Sequence, residues 1–306
     1  MLRTVFKNFS FIAAIFIFVA VTVGMFSVEA APNKKTSYKK KIPLPVQTSM
    51  VVDGKSGKIL HAHNAHKIIY PASLAKLMTA YLLFENLESG KFALNDNLYV
   101  SKHATRAKPS KLHLKHKEYI KVRDAILALN VKSANDVAIV IAENVAGSEK
   151  KFATLMTKRA HQLGMKSTNF TNASGWHNSK QVTTASDLAK LSIAIKRDFP
   201  QYYHFFKRNG FKYKGHYIAG HNKITKTYPG AEGLKTGFHI PAGYNIITTA
   251  SRNNKNIVGI VTGSPNAAGR DKKIVRLLDK YLGVKHKTIK RTKKSRKSNA
   301  VKKQLA

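Results

Sequence analysis

The chain has 306 residues, a length that fits one large domain or two small ones. Apolar residues make up 43% of it, which is enough for a buried core and excludes wholesale disorder. The absence of cysteine excludes disulfides, thiolate chemistry and cysteine-ligated zinc, while the formal net charge of +39 directs attention to anionic partners.

The N-terminal 30 residues have the layout of a secretory signal peptide. Arg3 and Lys7 precede an apolar run over Phe11–Val23, and small residues lead up to Ala30. The alternative is an uncleaved membrane anchor, which needs about 20 apolar residues in a row. We therefore predict a signal peptide over 1–30 and a basic linker over 31–43. We also predict export to the periplasm or cell envelope, with membrane association as an open alternative.

A hairpin and a helix are the first elements predicted beyond the linker. Met50–Val52 and Ile59–Leu60 are apolar, and the Gly- and Asp-containing segment between them is typical of a turn joining antiparallel strands. Pro71 then precedes apolar residues at helical spacing, which predicts a helix over Ser73–Glu85.

The rest of the chain alternates helices with late strands. Further helices are predicted over Val122–Leu129, Ala134–Val145, Lys150–Leu163, Ala185–Ile195 and Asp271–Tyr281. Strands are predicted over Tyr244–Ala250 and Ile257–Thr262. Strands at both ends with helices between them indicate an α+β domain over 44–284, whose terminal strands complete one sheet. The last segment, 285–306, holds ten Lys or Arg and no acid, so we predict a disordered basic tail there.

Three short motifs carry the candidate chemistry. They are Ser73-Leu74-Ala75-Lys76, Ser133-Ala134-Asn135 and Lys235-Thr236-Gly237. Each is a weak signal alone because strings this short arise by chance. Their order and their predicted settings make them a strong signal together.

Ser73 and Lys76 lie three residues apart on one helix face, so the amine can reach the hydroxyl. A serine hydroxyl needs a base, and a lysine serves as one only if burial and nearby positive charge lower its pKa. Lys235 could supply that charge. The alternative is a helix start with a capping serine and a surface lysine.

Ser133 and Asn135 are predicted to lie in the turn before a helix. In a catalytic site Ser133 would relay a proton between Lys76 and the leaving amine, and Asn135 would bind the substrate backbone. The alternative for both is an ordinary helix N-cap.

Lys235-Thr236-Gly237 leads into a β-rich stretch. At a strand edge the lysine and threonine could bind a substrate carboxylate, and the glycine would let the substrate backbone approach closely. The alternative is a Gly-rich turn.

These motifs and their surroundings resemble the D-alanyl-D-alanine carboxypeptidases, the low-molecular-mass penicillin-binding proteins of the β-lactamase/DD-peptidase superfamily. The resemblance covers roughly Met50–Leu282. It includes Pro71–Ala80, Asn172–Gly175, Thr184–Leu188, Gly233–Phe238 and Ala242–Asn245. It implies an antiparallel sheet flanked by helices, with a helical subdomain and the nucleophile at the start of a central helix.

The resemblance also implies the chemistry and the partners. Ser73 would attack the carbonyl between two terminal D-alanines of a peptidoglycan stem peptide, and the backbone N–H groups of Ser73 and Phe238 would hold the oxyanion. Lys235, Thr236 and Gly237 would bind substrate, β-lactams would be covalent inhibitors, and no metal or other cofactor would be needed. We interpret the close spacing of His61, His63 and His66 as alternation on a solvated strand and not as a metal site.

Three other functions remain open. An endopeptidase that cuts D-alanyl cross-links would use the same chemistry. A β-lactamase is disfavoured because residues 166–178 hold no acid to drive deacylation, so we expect a slowly hydrolysed penicilloyl adduct. The third is a non-catalytic basic protein that binds the anionic envelope surface, which we favour over nucleic acid as the partner of an exported protein. The basic tail could supply such envelope contact in an enzyme too.

Overall fold

The computed structural model describes residues 45–284; the predicted signal, linker and basic tail lie outside this range. Within it the strands are β1 (Thr48–Asp53), β2 (Ile59–His63), β3 (Asn97–Tyr99), β4 (Tyr119–Lys121), β5 (Gly210–Tyr213), β6 (His216–Ala219), β7 (Ala231–His239), β8 (Gly243–Arg252) and β9 (Lys255–Ser264). The α-helices are α1 (Lys76–Glu88), α2 (Lys102–Thr105), α3 (Val122–Leu127), α4 (Asn135–Ala146), α5 (Glu149–Gln162), α6 (Ala185–Asp198), α7 (Lys223–Thr227) and α8 (Ala267–Leu282).

A five-stranded antiparallel sheet has the strand order β2-β1-β9-β8-β7. The first strand pairs with the last, with Thr48 opposite Thr262 and Val52 opposite Val258. The prediction that the terminal strands complete one sheet is therefore confirmed. Strand β7 is left at one edge of this sheet, opposite the edge formed by β2.

The sheet has a helical layer on each face because its strands alternate in side-chain direction. Val51, Ile246 and Val261 pack with Ile274 and Leu278 of α8 on one face. On the other face the alternate residues, among them Met50, Val52, Ile247 and Ile260, join the larger core around α1 and α6.

Helices α1 and α4 are at the centre of the larger core. Ten of the 13 residues of α1 are buried, including Lys76. Helices α4 and α5 contact α1, α2 packs on α4, and α3 contacts β4 of the short sheet β3–β4. Together with the second short sheet, β5–β6, they form the predicted helical subdomain. The predicted α+β fold, an antiparallel sheet flanked by helices with a helical subdomain, is thus confirmed.

The predicted elements are present with most ends shifted by one to three residues, and three elements differ further. Ser73 lies in a 3-10 turn, Ala72–Ala75, and the α-helix begins only at Lys76. The predicted helix over 122–129 becomes α3 followed by a π-helical turn, Ala128–Lys132. Helix α8 begins one turn earlier than predicted because the Asn266 side chain caps it, accepting a hydrogen bond from the Gly269 N–H at 2.7 Å. No helix of residues 45–284 is long and apolar enough to cross a membrane.

Candidate active site

Ser73 and Lys76 meet at the start of α1. The 3-10 turn carries Ser73, and its neighbour Ala72 has a positive φ of 48°. The Lys76 side chain is fully buried, and its Nζ lies 3.1 Å from Ser73 Oγ. The alternative of a capping serine with a surface lysine is therefore wrong.

Two more oxygens hold the Lys76 amine. Its Nζ donates to Asn135 Oδ1 at 2.6 Å and to the Ser174 carbonyl oxygen at 2.5 Å. Burial lowers the pKa of Lys76 well below its usual range, and the positive charge of Lys235 lowers it further, while Asp136 and Glu149 act in the opposite direction. The environment predicted for a lysine base is present.

The second motif joins the π-helical turn to α4. Ser133 ends the turn in the left-handed conformation, with a φ of 61°, and its side chain lines the cleft beside Ser73. Ala134 is the N-cap of α4 and makes no side-chain capping bond, so the capping alternative for Ser133 and Asn135 is wrong. Within the described residues, Ser133 Oγ makes no hydrogen bond to Lys76.

Asn135 is held on both sides of its amide. Its Nδ2 donates to the Lys108 and Pro109 carbonyl oxygens at 2.9 and 3.0 Å, and its Oδ1 accepts from Lys76. The side chain thereby links the amine to the loop that follows α2. Its predicted contact with a substrate backbone stays a prediction.

The third motif lies on β7, at the edge of the sheet. Gly237 packs directly on the nucleophile turn: a Cβ there would lie 3.1 Å from the Ser73 nitrogen and 3.2 Å from the Pro71 oxygen. The motif lies in the middle of strand β7, so the alternative of a Gly-rich turn is wrong. Phe238, next along β7, is 49% exposed and stacks on Tyr244 at a ring distance of 4.1 Å.

Lys235 is buried beneath the cleft with its Nζ 2.9 Å from the Thr236 carbonyl oxygen. Burial, with the nearby charge of Arg270 as a second cause, lowers the pKa of Lys235 to about 7. A carboxylate bound beside this amine would favour its charged form.

A segment that the three motifs do not include completes the lysine's environment. The loop Asn172–Trp176 presents the Ser174 carbonyl to Lys76. The Ala173 N–H donates to Glu149 Oε1 at 3.0 Å, and the Ala173 carbonyl accepts from Thr79 Oγ1 at 2.7 Å. Sequence reasoning noted Asn172–Gly175 only as part of a resemblance and missed Glu149, whose single signal was an acid in the first turn of a helix.

One open cleft of about 980 Å³ joins the three motifs. Its lining includes six of the eight predicted site residues, namely Ser73, Ser133, Asn135, Thr236, Gly237 and Phe238. Lys76 and Lys235 lie buried beside it. His61 lies on edge strand β2 and bonds Ser49 Oγ, and no cluster of three metal-ligating side chains occurs within residues 45–284.

A serine beside a buried lysine at the start of a central helix, facing a Lys-Thr-Gly edge strand, defines the penicillin-recognising serine acyl transferases. The D-alanyl-D-alanine carboxypeptidase family model, that of peptidase family S11, matches residues 34–266. The chain belongs to this family.

Known relatives agree with this assignment. A D-alanyl-D-alanine carboxypeptidase of Haemophilus influenzae is 33% identical over 241 residues, which cover 77% of this chain and 61% of the relative. A Bacillus subtilis carboxypeptidase is 27% identical, with 84% and 68% covered. The chain thus spans about two thirds of the length of these relatives. A D-alanyl-D-alanine endopeptidase of Pseudomonas aeruginosa is 28% identical, with 79% of each chain covered.

The fold is similar to solved penicillin-binding proteins. Penicillin-binding protein D2 of Listeria monocytogenes, in its ampicillin-bound form, matches with a TM-score of 0.70 at 31% identity. The match covers 76% of this chain and 95% of that one.

Proposed function

We propose that this protein is a serine D-alanyl-D-alanine carboxypeptidase that removes the terminal D-alanine from peptidoglycan stem peptides through an acyl-enzyme on Ser73. The observation that carries the proposal is the Lys76 amine, which is fully buried, 3.1 Å from Ser73 Oγ and low in pKa. A non-catalytic envelope-binding protein would have no use for a buried lysine at that place, since burying such a charge is costly.

The contacts of Lys76 suit a neutral amine that acts as the base. A neutral amine has two N–H groups and one lone pair. The two N–H groups are matched by Asn135 Oδ1 and the Ser174 carbonyl oxygen, at 2.6 and 2.5 Å. The lone pair is then left for the Ser73 hydroxyl, whose proton Lys76 takes as Oγ attacks the substrate carbonyl.

Substrate binding follows from the edge position of β7. The terminal carboxylate is bound by Lys235 and Thr236, and the peptide backbone lies along the strand past Gly237, where the lack of a side chain leaves room. Asn135 and Phe238 lie beside the part of the substrate that becomes the acyl group. Backbone N–H groups of Ser73 and Phe238 stabilise the oxyanion, and one such donor is typically worth about 2.7–4 kcal/mol.

The reaction balances with the residues present. The bond from the carbonyl carbon to the D-alanine nitrogen breaks, and the nitrogen receives a proton by way of Ser133 from protonated Lys76. Water then attacks the ester and gives its proton to Lys76, which passes it to Ser73 Oγ as the ester bond breaks. The shortened peptide is released, and the Ser73 hydroxyl and the neutral Lys76 are regenerated. This substrate lies outside the bacterial membrane, in accord with a signal peptide over 1–30 and a periplasmic or envelope location.

The test is the mass of the intact protein after incubation with benzylpenicillin. We expect a single penicilloyl adduct that maps to the peptide containing Ser73, that hydrolyses slowly, and that is absent from Ser73→Ala. Rapid turnover of the drug would indicate a β-lactamase instead. No adduct on the unaltered protein would contradict the mechanism.

A D-alanyl endopeptidase is the second candidate function. It would use the same acyl-enzyme but would release a second stem peptide in place of D-alanine. The endopeptidase relative is as similar in sequence, at 28%, as the carboxypeptidases are, at 27–33%, so identity does not separate the two. Digestion of cross-linked muropeptide dimers separates them directly.

A further inference from the structure

The two ends of the cleft differ in chemistry. Gly237 of β7 packs on Ser73, so each end of the cleft can be named by the direction in which β7 runs away from Ser73. Toward the C-terminus of the strand, His239 contacts His177 and Phe238 stacks on Tyr244, which makes this end aromatic. Toward the N-terminus lie Lys235 and, beside it, His221.

Three further basic side chains line the cleft, and one of them, His221, lies beside Lys235. Lys132 comes from the end of the π-helical turn, His221 from the loop after β6, and Lys223 from the start of α7, and all three line the cleft. His221 lies close enough to Lys235 and Lys132 for their charges to lower its pKa, after burial as the first cause. We call these three residues the basic end.

Within residues 45–284 no acidic side chain forms an ion pair with the basic end. Asp271 is the one acidic residue among the described residues that line the cleft, and its Oδ1 lies 2.7 Å from Arg270 Nη2. Lys111, the third lysine of the lining, donates a hydrogen bond to the Thr105 carbonyl oxygen at 3.2 Å. Neither Lys132 nor Lys223 forms an ion pair within residues 45–284.

The orientation of the bound substrate places the basic end next to the leaving group. Lys235 and Thr236 bind the terminal carboxylate in the proposed function, so the leaving residue lies between Ser73 and these side chains. A leaving group larger than D-alanine reaches the space in front of Lys132, His221 and Lys223. Unpaired cations in a partly enclosed cleft favour an anionic group and disfavour a cationic one.

We propose that the basic end is a binding site for a second negative charge on the leaving group. The site then prefers D-alanyl bonds whose leaving amine carries two carboxylates, as an anionic D-amino acid or an anionic peptide does. This inference rests on the proposed function and refines its substrate class. It also gives the endopeptidase candidate a physical basis, because the leaving group of a cross-link is itself part of an acidic stem peptide.

Three peptides that differ only in the last residue test the proposal. They share an acylated sequence ending in D-Ala and continue with D-Ala, D-Gln or D-Glu, the last two being matched in shape and different in charge. We expect kcat/KM for the D-Glu peptide to exceed that for the D-Gln peptide by about 3- to 10-fold at low salt. The ratio should fall toward one as salt rises.

Matched variants locate the effect. Lys223→Ser, and independently Lys132→Gln, should bring the D-Glu to D-Gln ratio closer to one. Lys226→Ser serves as the control, since Lys226 is on the same helix α7 but does not line the cleft, and it should leave the ratio unchanged.

The outcomes separate the two proposals. Cleavage of the D-Ala peptide with equal rates for D-Glu and D-Gln, or a ratio that Lys223→Ser and Lys132→Gln both leave unaltered, overturns the basic end as a binding site. Cleavage of none of the three peptides overturns the proposed function itself, and the further inference with it.

Discussion

At the scale of single residues, two buried lysines with opposite requirements govern the candidate site. Lys76 must be neutral to take a proton, and Lys235 must be charged to bind a carboxylate. The Lys76 pKa is lowered by burial and by Lys235, and burial with Arg270 lowers that of Lys235 to about 7. Activity therefore needs a pH at which Lys76 has lost its proton and Lys235 has kept one.

A pH profile of kcat/KM tests this arrangement. Below the lowered pKa of Lys76 the amine is protonated, so the rate should fall for every substrate. Above about pH 7 Lys235 loses its charge in the free enzyme, so the rate should fall for a peptide with a terminal carboxylate. A peptide with a terminal amide should lack this alkaline decline. The same decline for both peptides would contradict a role of Lys235 in carboxylate binding.

Glu149 is a positioning residue for Lys76. It accepts from the Ala173 N–H at 3.0 Å and so holds the loop whose Ser174 carbonyl bonds Lys76. Glu149→Ala should slow acylation by penicillin roughly 10- to 100-fold because Lys76 loses a fixed partner. Glu149→Gln keeps an acceptor for the Ala173 N–H and should retain most of the rate.

The control for Glu149 is Glu143→Gln, which removes the other carboxylate near His103 without touching the loop. Circular dichroism on all three variants checks that each is folded. Equal rates for Glu149→Ala and Glu149→Gln would show that the hydrogen bond to Ala173 does not position Lys76.

Sequence could predict the residues that act through a recognisable spacing. Ser73 and Lys76 share a helix turn, and Lys235-Thr236-Gly237 precedes a β-rich run, so both motifs were found and are brought together. Ser174 contributes only a backbone carbonyl, which any residue type could supply. Glu149 and His221 reach the site through tertiary packing across large sequence separations, which no local pattern encodes.

At the scale of elements, the loop Asn172–Trp176 and the nucleophile turn are packed backbone to backbone. Gly175 has a φ of 81°, and a Cβ on it would lie 1.9 Å from the Ala72 oxygen and 3.0 Å from the Ser73 nitrogen. Only glycine fits this contact. The position of Ser73 therefore depends on the loop as well as on α1.

Two glycine substitutions separate backbone strain from this contact. Gly147 has a similar φ of 76°, but a Cβ there meets nothing within 4 Å. Gly147→Ala should lower the free energy of unfolding by about 1 kcal/mol and leave acylation by penicillin unchanged. Gly175→Ala should also displace the nucleophile turn and slow acylation by roughly 100-fold or more.

The measurements are thermal unfolding and the second-order rate of penicillin labelling for both glycine variants. If Gly175→Ala labels as fast as Gly147→Ala, the close approach of the loop to Ser73 is not needed for reactivity.

Elements with a strong periodicity were predictable and special turns were not. The long apolar patterns of α1, α4 and α6 gave helices at the right places. The 3-10 turn at Ser73 and the π-helical turn before Ser133 have the composition of ordinary helix, so their altered hydrogen bonding could not be read from sequence. The short sheets β3–β4 and β5–β6, of three- and four-residue strands, were missed for lack of any alternation long enough to detect.

At the scale of the whole molecule, charge is distributed unevenly along the chain. Residues 45–284 contain 37 Lys or Arg against 14 Asp or Glu, while 285–306 add ten basic residues and no acid over 22 positions. The terminal segment thus has the higher density of positive charge. Its predicted role in attachment to an anionic envelope surface rests on this density.

Removal of the residues after Val284 tests that role. We expect the full chain to sediment with vesicles of anionic lipid at moderate salt and the shortened chain to stay in the supernatant, because the segment with the highest density of positive charge is then missing. Penicillin labelling of the shortened chain serves as the control for folding. Unchanged retention would place the attachment elsewhere.

In the proposed function the acyl group passes from a D-alanyl peptide to Ser73 and then to water, and loss of D-alanine from a natural substrate is the most direct sign of it. Purified muropeptides with pentapeptide stems are incubated with the protein or with Ser73→Ala and analysed by mass spectrometry. We expect loss of one alanine from each pentapeptide with the unaltered protein and none with the variant. Intact pentapeptides in both reactions, or loss of alanine in both, would contradict it.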